Sequence, residues 1–266
     1  MERQVAWYPG HMAKASRRIR EYLSSVDIVV EVVDARIVRS GRNPLLDELG
    51  SRRARVVALN RQDLADPATT KRWLRYLDDR ATNAVAVDGR SQRSVARIAA
   101  AIAHVTPIGQ IGISRAMVVG VPNSGKSSVV NGLLRRAAAR TEDRAGITRQ
   151  TQWFRLSPKV ELMDTPGVLP PKLATRETQW KLAICGAVPR DLYDPAEVAA
   201  AFHHWLLARD AKTNVPDLAT FAAGRGFMRR RGEIDYHNAA QSYIRAFNDG
   251  AFGRISLEAP DDPEAA

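Results

Sequence analysis

Gly120-Val121-Pro122-Asn123-Ser124-Gly125-Lys126-Ser127 fits the pattern G-x-x-x-x-G-K-[ST] at every fixed position. That spacing makes a phosphate cradle. Its glycines let the backbone curl until successive N–H groups face an anion, and the N-terminus of the next helix adds a positive dipole end. In such a loop Lys126 reaches the β- and γ-phosphates of a nucleoside triphosphate, and the Ser127 hydroxyl holds Mg2+. Asn123, Ser124, Gly125, Lys126, Ser127 and Ser128 are therefore the residues expected on the phosphates. Val160-Glu161-Leu162-Met163-Asp164-Thr165-Pro166-Gly167 ends in D-x-x-G. There Asp164 is placed to hold Mg2+ through water, and the Gly167 N–H to sense a γ-phosphate. Val56-Val57-Ala58-Leu59-Asn60-Arg61-Gln62-Asp63 ends in N-x-x-D. A carboxylate at Asp63 accepts both the N1–H and the 2-amino group of guanine. Adenine offers neither donor, so Asp63 selects guanine by hydrogen-bond count.

These residues need elements that bring them to one place. Arg115 to Val119 is a short apolar run that reads as a buried strand, and Ser128 to Leu134 as the helix after the loop. Val26 to Val33 is almost all β-branched and apolar and reads as a buried parallel strand ending at Asp34. A strand over 54–59 delivers Asn60, and one over 84–87 precedes Asp88-Gly89. Helical patterns over 69–80 and 91–104 separate them. Strands alternating with helices predict an α/β fold with a doubly wound parallel sheet, whose ligand lies beyond the carboxyl ends of the strands. Asp34, Asn60, Asp88, Gly120 and Asp164 all fall at such ends.

The order of the motifs is unusual. The guanine motif at 60–63 precedes the phosphate loop at 120–127, and D-x-x-G follows at 164–167. This is a circular permutation of the Ras-like order. Further stretches carry a family resemblance: Trp7-Tyr8-Pro9-Gly10-His11-Met12-Ala13-Lys14-Ala15 at the start, Asp34-Ala35-Arg36 with Arg42-Asn43-Pro44, Gly146-Ile147-Thr148-Arg149 with Gln152-Trp153, and Gly253-Arg254-Ile255-Ser256-Leu257-Glu258 near the end. Over nearly its whole length the chain resembles the ribosome biogenesis GTPase A family, permuted GTPases of large-subunit assembly.

The resemblance implies particular roles. Residues Val168 and Leu169 follow D-x-x-G where many Ras-like enzymes carry a water-orienting glutamine. It implies His11 as the residue that positions the attacking water instead. Asn123 resembles the asparagine that holds K+ in potassium-dependent GTPases. Thr148 is the expected second Mg2+ hydroxyl, in the first switch. Catalysis would then rest on His11, Lys126 and Thr148. Arg61 stands where lysine is usual, and packs over the phosphate loop more than it reads the base. Asp88-Gly89 stands where Ser-Ala is usual, and the Gly89 N–H is the donor expected for guanine O6.

Composition bounds the partners. The chain has 266 residues, 45% apolar and 26% charged, as in a soluble globular protein. Forty Lys and Arg against 29 Asp and Glu leave a net charge of +11, which favours a polyanionic partner such as a nucleic acid; the resemblance implies the large ribosomal subunit precursor and its ribosomal RNA. Cys185 is the only cysteine, which excludes an intramolecular disulfide and a cysteine metal cluster. The N-terminal stretch lacks a signal-peptide core and no apolar run is long enough to span a membrane, so a cytoplasmic protein is expected.

Two domains are expected, a permuted GTPase domain over 1–172 and a helical RNA- or ribosome-binding domain over 173–266. Asp194-Pro195-Ala196-Glu197 carries an N-cap, a proline at the first helical position and a glutamate at the third. Helices over 215–224 and 237–248 follow, then an acidic tail after Glu258 expected to be disordered. Arg229-Arg230-Arg231 is a candidate phosphate contact. Arg135 to Ile147 reads as an aperiodic loop. The function expected is a Mg2+-dependent GTPase, K+ assisting, that binds GTP and GDP, assembles the large ribosomal subunit and is a monomer away from it. The alternative is a nucleotide-gated RNA-binding module with negligible hydrolysis. A tRNA-modification or translation GTPase is a weaker third reading, because the helical domain carries no catalytic cysteine or metal constellation.

Overall fold

Runs of β-branched residues alternate with capped, amphipathic helices, and the chain folds accordingly. The computed structural model describes residues 17, 19–44, 46, 53–80, 82–106, 112–141, 153–165, 167, 169, 175–210, 212–229 and 233–263. The strands are β1 (Ile28–Asp34), β2 (Ala54–Asn60), β3 (Asn83–Ala86), β4 (Ser114–Val119), β5 (Trp153–Ser157) and β6 (Val160–Asp164). They form one sheet in the order β3-β2-β1-β4-β6-β5. All neighbours are parallel except β5, which runs antiparallel to β6. β4 lies inside the sheet, with the earlier strands on one side and the later ones on the other. Started at β4 and closed end to start, the chain would run in the unpermuted order.

Helices α1 (Pro67–Asp78), α2 (Gln92–Val105) and α3 (Lys126–Thr141) cover the sheet. Asp66 caps α1 by accepting from the Thr69 N–H at 2.7 Å, with Pro67 at the first position. β1 is buried on both faces, as a central parallel strand must be. One face packs Val30, Val32 and Val118 on α2 and α3 through Ile98 and Leu133. The other packs Val33, Val57 and Leu59 on α1 through Trp73 and Leu77.

One expectation needs correction here, and one strand had no expectation. Of the loop expected over Arg135 to Ile147, Arg135 to Thr141 is the end of α3, and 142–147 lie outside the described residues. Three alanines among arginines are strong helix formers, and Ala137 is buried. Strand β5 was not anticipated at all.

Helices α4 (Arg176–Ile184), α5 (Pro195–Arg209), α6 (Leu218–Gly224) and α7 (Tyr236–Asn248) make the second half. Side chains of Thr175, Asp194, Asp217 and Asp235 cap them, each cap contributing about 1 kcal/mol. Their core is aromatic. Phe202 meets Phe247 at 4.9 Å and Phe221 meets Tyr243 at 5.1 Å, both edge to face. The Tyr243 hydroxyl donates to Pro216 O at 2.8 Å. Ile37, Val121 and Leu169 belong to this same core, so it reaches the loops at the ends of β1, β4 and β6. The expected domain boundary near 172 lies outside the described residues.

The tail is held as far as its described residues run, to Pro263, contrary to the expectation of disorder; 264–266 lie outside them. After α7 the chain turns back over the loop that follows β1. Ile255 N donates to Leu64 O at 3.0 Å and Leu257 N to Arg36 O at 2.7 Å. The buried Glu258 carboxylate accepts from Arg39 N at 2.7 Å, from Ser40 N at 3.0 Å and from the Ser40 hydroxyl. Its carbonyl accepts from Trp73 Nε1 at 3.0 Å. Arg39 then binds the carbonyls of Pro260 and Asp262 at 3.1 and 3.0 Å. Acidic composition suggests a solvated end, but these acceptors meet backbone, hydroxyl and indole donors and the Arg39 guanidinium. Glu258→Ala strands those backbone donors, and is expected to lower unfolding free energy in urea by about 2 kcal/mol.

Candidate functional site

β4 delivers Gly120, and α3 opens at Lys126, so the phosphate-loop motif bridges strand and helix. Gly125 sits at φ +90°, and a Cβ there would overlap Asn60 Nδ2. Only glycine lets Asn60 close over the loop. Asn60 Nδ2 donates to Ser124 O at 2.8 Å, and its Oδ1 accepts from Gly89 N at 2.8 Å. One side chain thus ties the phosphate loop to the loop after β3.

Lys126 is 7% exposed, and its Nζ donates to Val121 O at 2.9 Å. Burial pulls its pKa down to about 8, opposed by the charge of Asp164. Gly167 lies against the same place: a Cβ there would stand 2.8 Å from both Lys126 Nζ and Pro122 Cα. Asp164, the last residue of β6, is raised by burial, with Lys126 opposing. Its Oδ1 is buried and has no partner among the described residues. An unpaired carboxylate oxygen near the start of α3, where Ser127 sits, suits a hydrated divalent cation.

Nucleotide affinity should therefore depend on pH. Phosphates favour charged Lys126 and raise its pKa on binding, so above pH 8 binding takes up a proton. GDP affinity is expected to fall up to about tenfold per pH unit between pH 8 and 10, which fluorescence titration with a GDP analogue measures.

At the end of the N-x-x-D motif, Asp63 Oδ1 is buried without a partner among the described residues, and Oδ2 accepts from Arg90 Nη2 at 2.7 Å. Asp88 N donates to Ser94 Oγ at 2.8 Å and its Oδ1 accepts from Arg90 N at 2.9 Å. The Gly89 N–H, expected at guanine O6, donates to Asn60 Oδ1 in this structure. Arg61 reaches the phosphate loop, as its position implied: Nη2 donates to Asn123 O at 2.9 Å. These residues line a cavity of about 540 Å3 together with Gly125 and Ser128.

Two features of this cavity were not read from the sequence. Arg90 pairs with the Asp63 carboxylate. The far wall comes from the helical half, through Gly186, Arg190, Tyr193 and Asn248. No local motif marks those residues, because their nearness depends on packing across the chain. Asn123, expected at K+, donates its Nδ2 to Gly186 O at 2.6 Å. Asn60, Arg61, Asp63, Asp88, Gly89, Asn123, Gly125 and Ser128 come together around the cavity, with Ser124 and Lys126 beside it. His11 and Thr148 lie outside the described residues, as do Arg230 and Arg231.

A phosphate loop, a D-x-x-G strand end and an N-x-x-D strand end on one permuted sheet define a P-loop GTP hydrolase. Residues 115–191 match the model of the family described as 50S ribosome-binding GTPase. The chain is 32% identical over 283 residues to ribosome biogenesis GTPase A of Priestia megaterium, covering 98% of each. It is 30% identical over 260 residues to the protein of that name from Thermotoga maritima, covering 97% of this chain and 95% of that one. The crystal structure of GNP-bound YlqF from T. maritima superposes with a TM-score of 0.75 at 26% identity, covering 94% of this chain and 100% of the other. The chain belongs to the ribosome biogenesis GTPase A family. Among its described residues no helix is long and apolar enough to cross a membrane.

Proposed function

We propose that this GTPase assembles the large ribosomal subunit, and that the precursor particle stimulates its turnover. The observation that carries the reading is the short span between Gly167 and Leu169. Gly167 lies against Lys126 and Pro122, while Leu169 is 1% exposed in the core of the helical half. A γ-phosphate arriving at Gly167 must press on a segment anchored in that core two residues later. Loss of the γ-phosphate relaxes it, and the helical half, carrying ribosomal RNA, changes its hold on the particle. Two domains, dividing near residue 172, are the moving parts.

In this reading Asn123, Ser124, Gly125, Lys126, Ser127 and Ser128 hold the phosphates, and Lys126 neutralises charge that builds at the β–γ bridge. Asn60, Arg61, Asp63, Asp88 and Gly89 form the guanine side. Ser127, Thr148 and Asp164 hold Mg2+, which when bound supplies further positive charge to the phosphates. Asn123 Oδ1 is the atom for K+, since Nδ2 is donated to Gly186. His11 orients the water. The protein works in the cytoplasm, away from membranes, and as a monomer off the ribosome.

GTP hydrolysis in KCl and in NaCl, with and without purified large subunits, tests this. Stimulation by subunits, larger in K+, is the expected result. Turnover unchanged by subunits, or raised equally by small subunits, overturns the large-subunit assignment.

A further inference from the structure

The guanine motif makes contacts that base recognition does not require. While Arg61 Nη2 holds Asn123 O, its Nη1 donates to Asn248 Oδ1 at 3.4 Å and lies 3.8 Å from Asp34 Oδ2. Asn248 is the last residue of α7, and its amide is used fully. Oδ1 also accepts from Arg36 Nη2 at 3.0 Å. Nδ2 donates to Ile184 O at 2.6 Å and to Ile244 O at 2.9 Å. Ile184 ends α4, and two residues later Gly186 O accepts from Asn123 Nδ2 at 2.6 Å. The bonds close a circuit: phosphate loop, Arg61, Asn248, α4, Gly186 and phosphate loop again.

The circuit holds backbone that would otherwise relax. Arg61 has φ +58° and Asn123 φ +56°, a region costly to an arginine. Arg61 is two residues from Asp63, and Asn123 lies within the loop itself. Arg36, fixed by Asp34 at 2.8 Å and 1% exposed, gives Asn248 a rigid seat.

We infer that Asn248 is a positioning residue for the nucleotide: through Arg61 it holds Asp63 and the phosphate loop in their binding geometry, so that the helical half sets the rate at which GDP leaves. This route is separate from γ-phosphate sensing at Gly167, since it acts on GDP as well as GTP. A partner that moves the end of α7 would hasten nucleotide release.

The inference rests on the nucleotide reading of the site, and dissociation of a fluorescent GDP analogue from the full chain tests both. Asn248→Ala and Arg61→Ala are each expected to speed release about tenfold, the size of one charge-assisted hydrogen bond, because each removes the link between Arg61 and Asn248. The double variant should be no faster than the singles, because both break one circuit. Asn248→Asp keeps the acceptor facing Arg61 and Arg36 but puts a carboxylate oxygen where Nδ2 donates to Ile184 O and Ile244 O, so it opens the circuit at α4 and should speed release as well. Failure of the wild type to bind the analogue overturns the site itself. Unchanged release in Asn248→Ala, even with a lowered urea midpoint, assigns Asn248 a purely structural role and overturns the inference. Multiplicative effects in the double variant overturn it too.

Discussion

Asp63→Asn is expected to weaken GTP binding by about a thousandfold and to favour xanthosine triphosphate instead. Asp63 presents one buried oxygen without a partner among the described residues, and a second shared with Arg90. Guanine offers two donors on one edge, and an ionised carboxylate is the side chain that accepts both. Asparagine turns one acceptor into a donor, which then faces a guanine donor in a site with little room to rearrange. Xanthine carries a carbonyl at C2 and meets that donor correctly. Arg90 does not prevent guanine from entering. Its side chain is 74% exposed, and an exposed ion pair contributes at most about 1 kcal/mol. Competition between GTP and xanthosine triphosphate for the variant reads the outcome directly. A variant that still prefers GTP would mean that the base is read elsewhere.

The parts of this site legible in the sequence share one property. Each sits at the carboxyl end of a buried strand, so an apolar run announces it and a polar or glycine residue ends it. Asn60, Gly120 and Asp164 are of this kind, and the sheet places them where a doubly wound topology must. Strand β5 escaped because it is an edge. Its Trp153, Phe154 and Ser157 are only half-buried and Arg155 is exposed, so no continuous apolar run marks it. The end of α3 escaped because its alanines and arginines give propensity without a clear stripe.

The helical wall of the cavity was hidden for a different reason. Asn248 and Gly186 have no side-chain chemistry that suggests a nucleotide. They line the cavity because aromatic packing around Phe202 and Tyr243 sets the ends of α4 and α7 against the phosphate loop. Glu258 is similar. It looked like the start of a solvated tail, yet the turn after β1 supplies two backbone N–H groups aimed at it. Contacts between residues so far apart in sequence leave no periodic trace.

Lys126→Ala should abolish most GTP turnover, by about a thousandfold, while making the protein without nucleotide no less stable at neutral pH. Both effects have one source. Lys126 is a cation held in a nearly buried place, 7% exposed, where among the described residues no carboxylate is close enough to bond it and only the Val121 carbonyl accepts its proton. That position is costly until phosphates arrive. The sign of the cost can be read from pH. The folded pKa is about 8 against an ordinary value of 10.5, so the folded state binds protons less well than the unfolded one. The destabilisation is fully present below pH 8 and fades as pH rises through 10.5, a change of about 3 kcal/mol at most. Alanine carries no such term. The stability of the variant relative to wild type should therefore fall between pH 7 and pH 10 in paired urea unfolding curves. A constant difference would mean that Lys126 is well solvated before nucleotide binds. A falling difference, together with lost turnover, would show that the loop holds a strained cation in readiness for the triphosphate. Stability given up at the site in this way is the ordinary cost of electrostatic preorganisation.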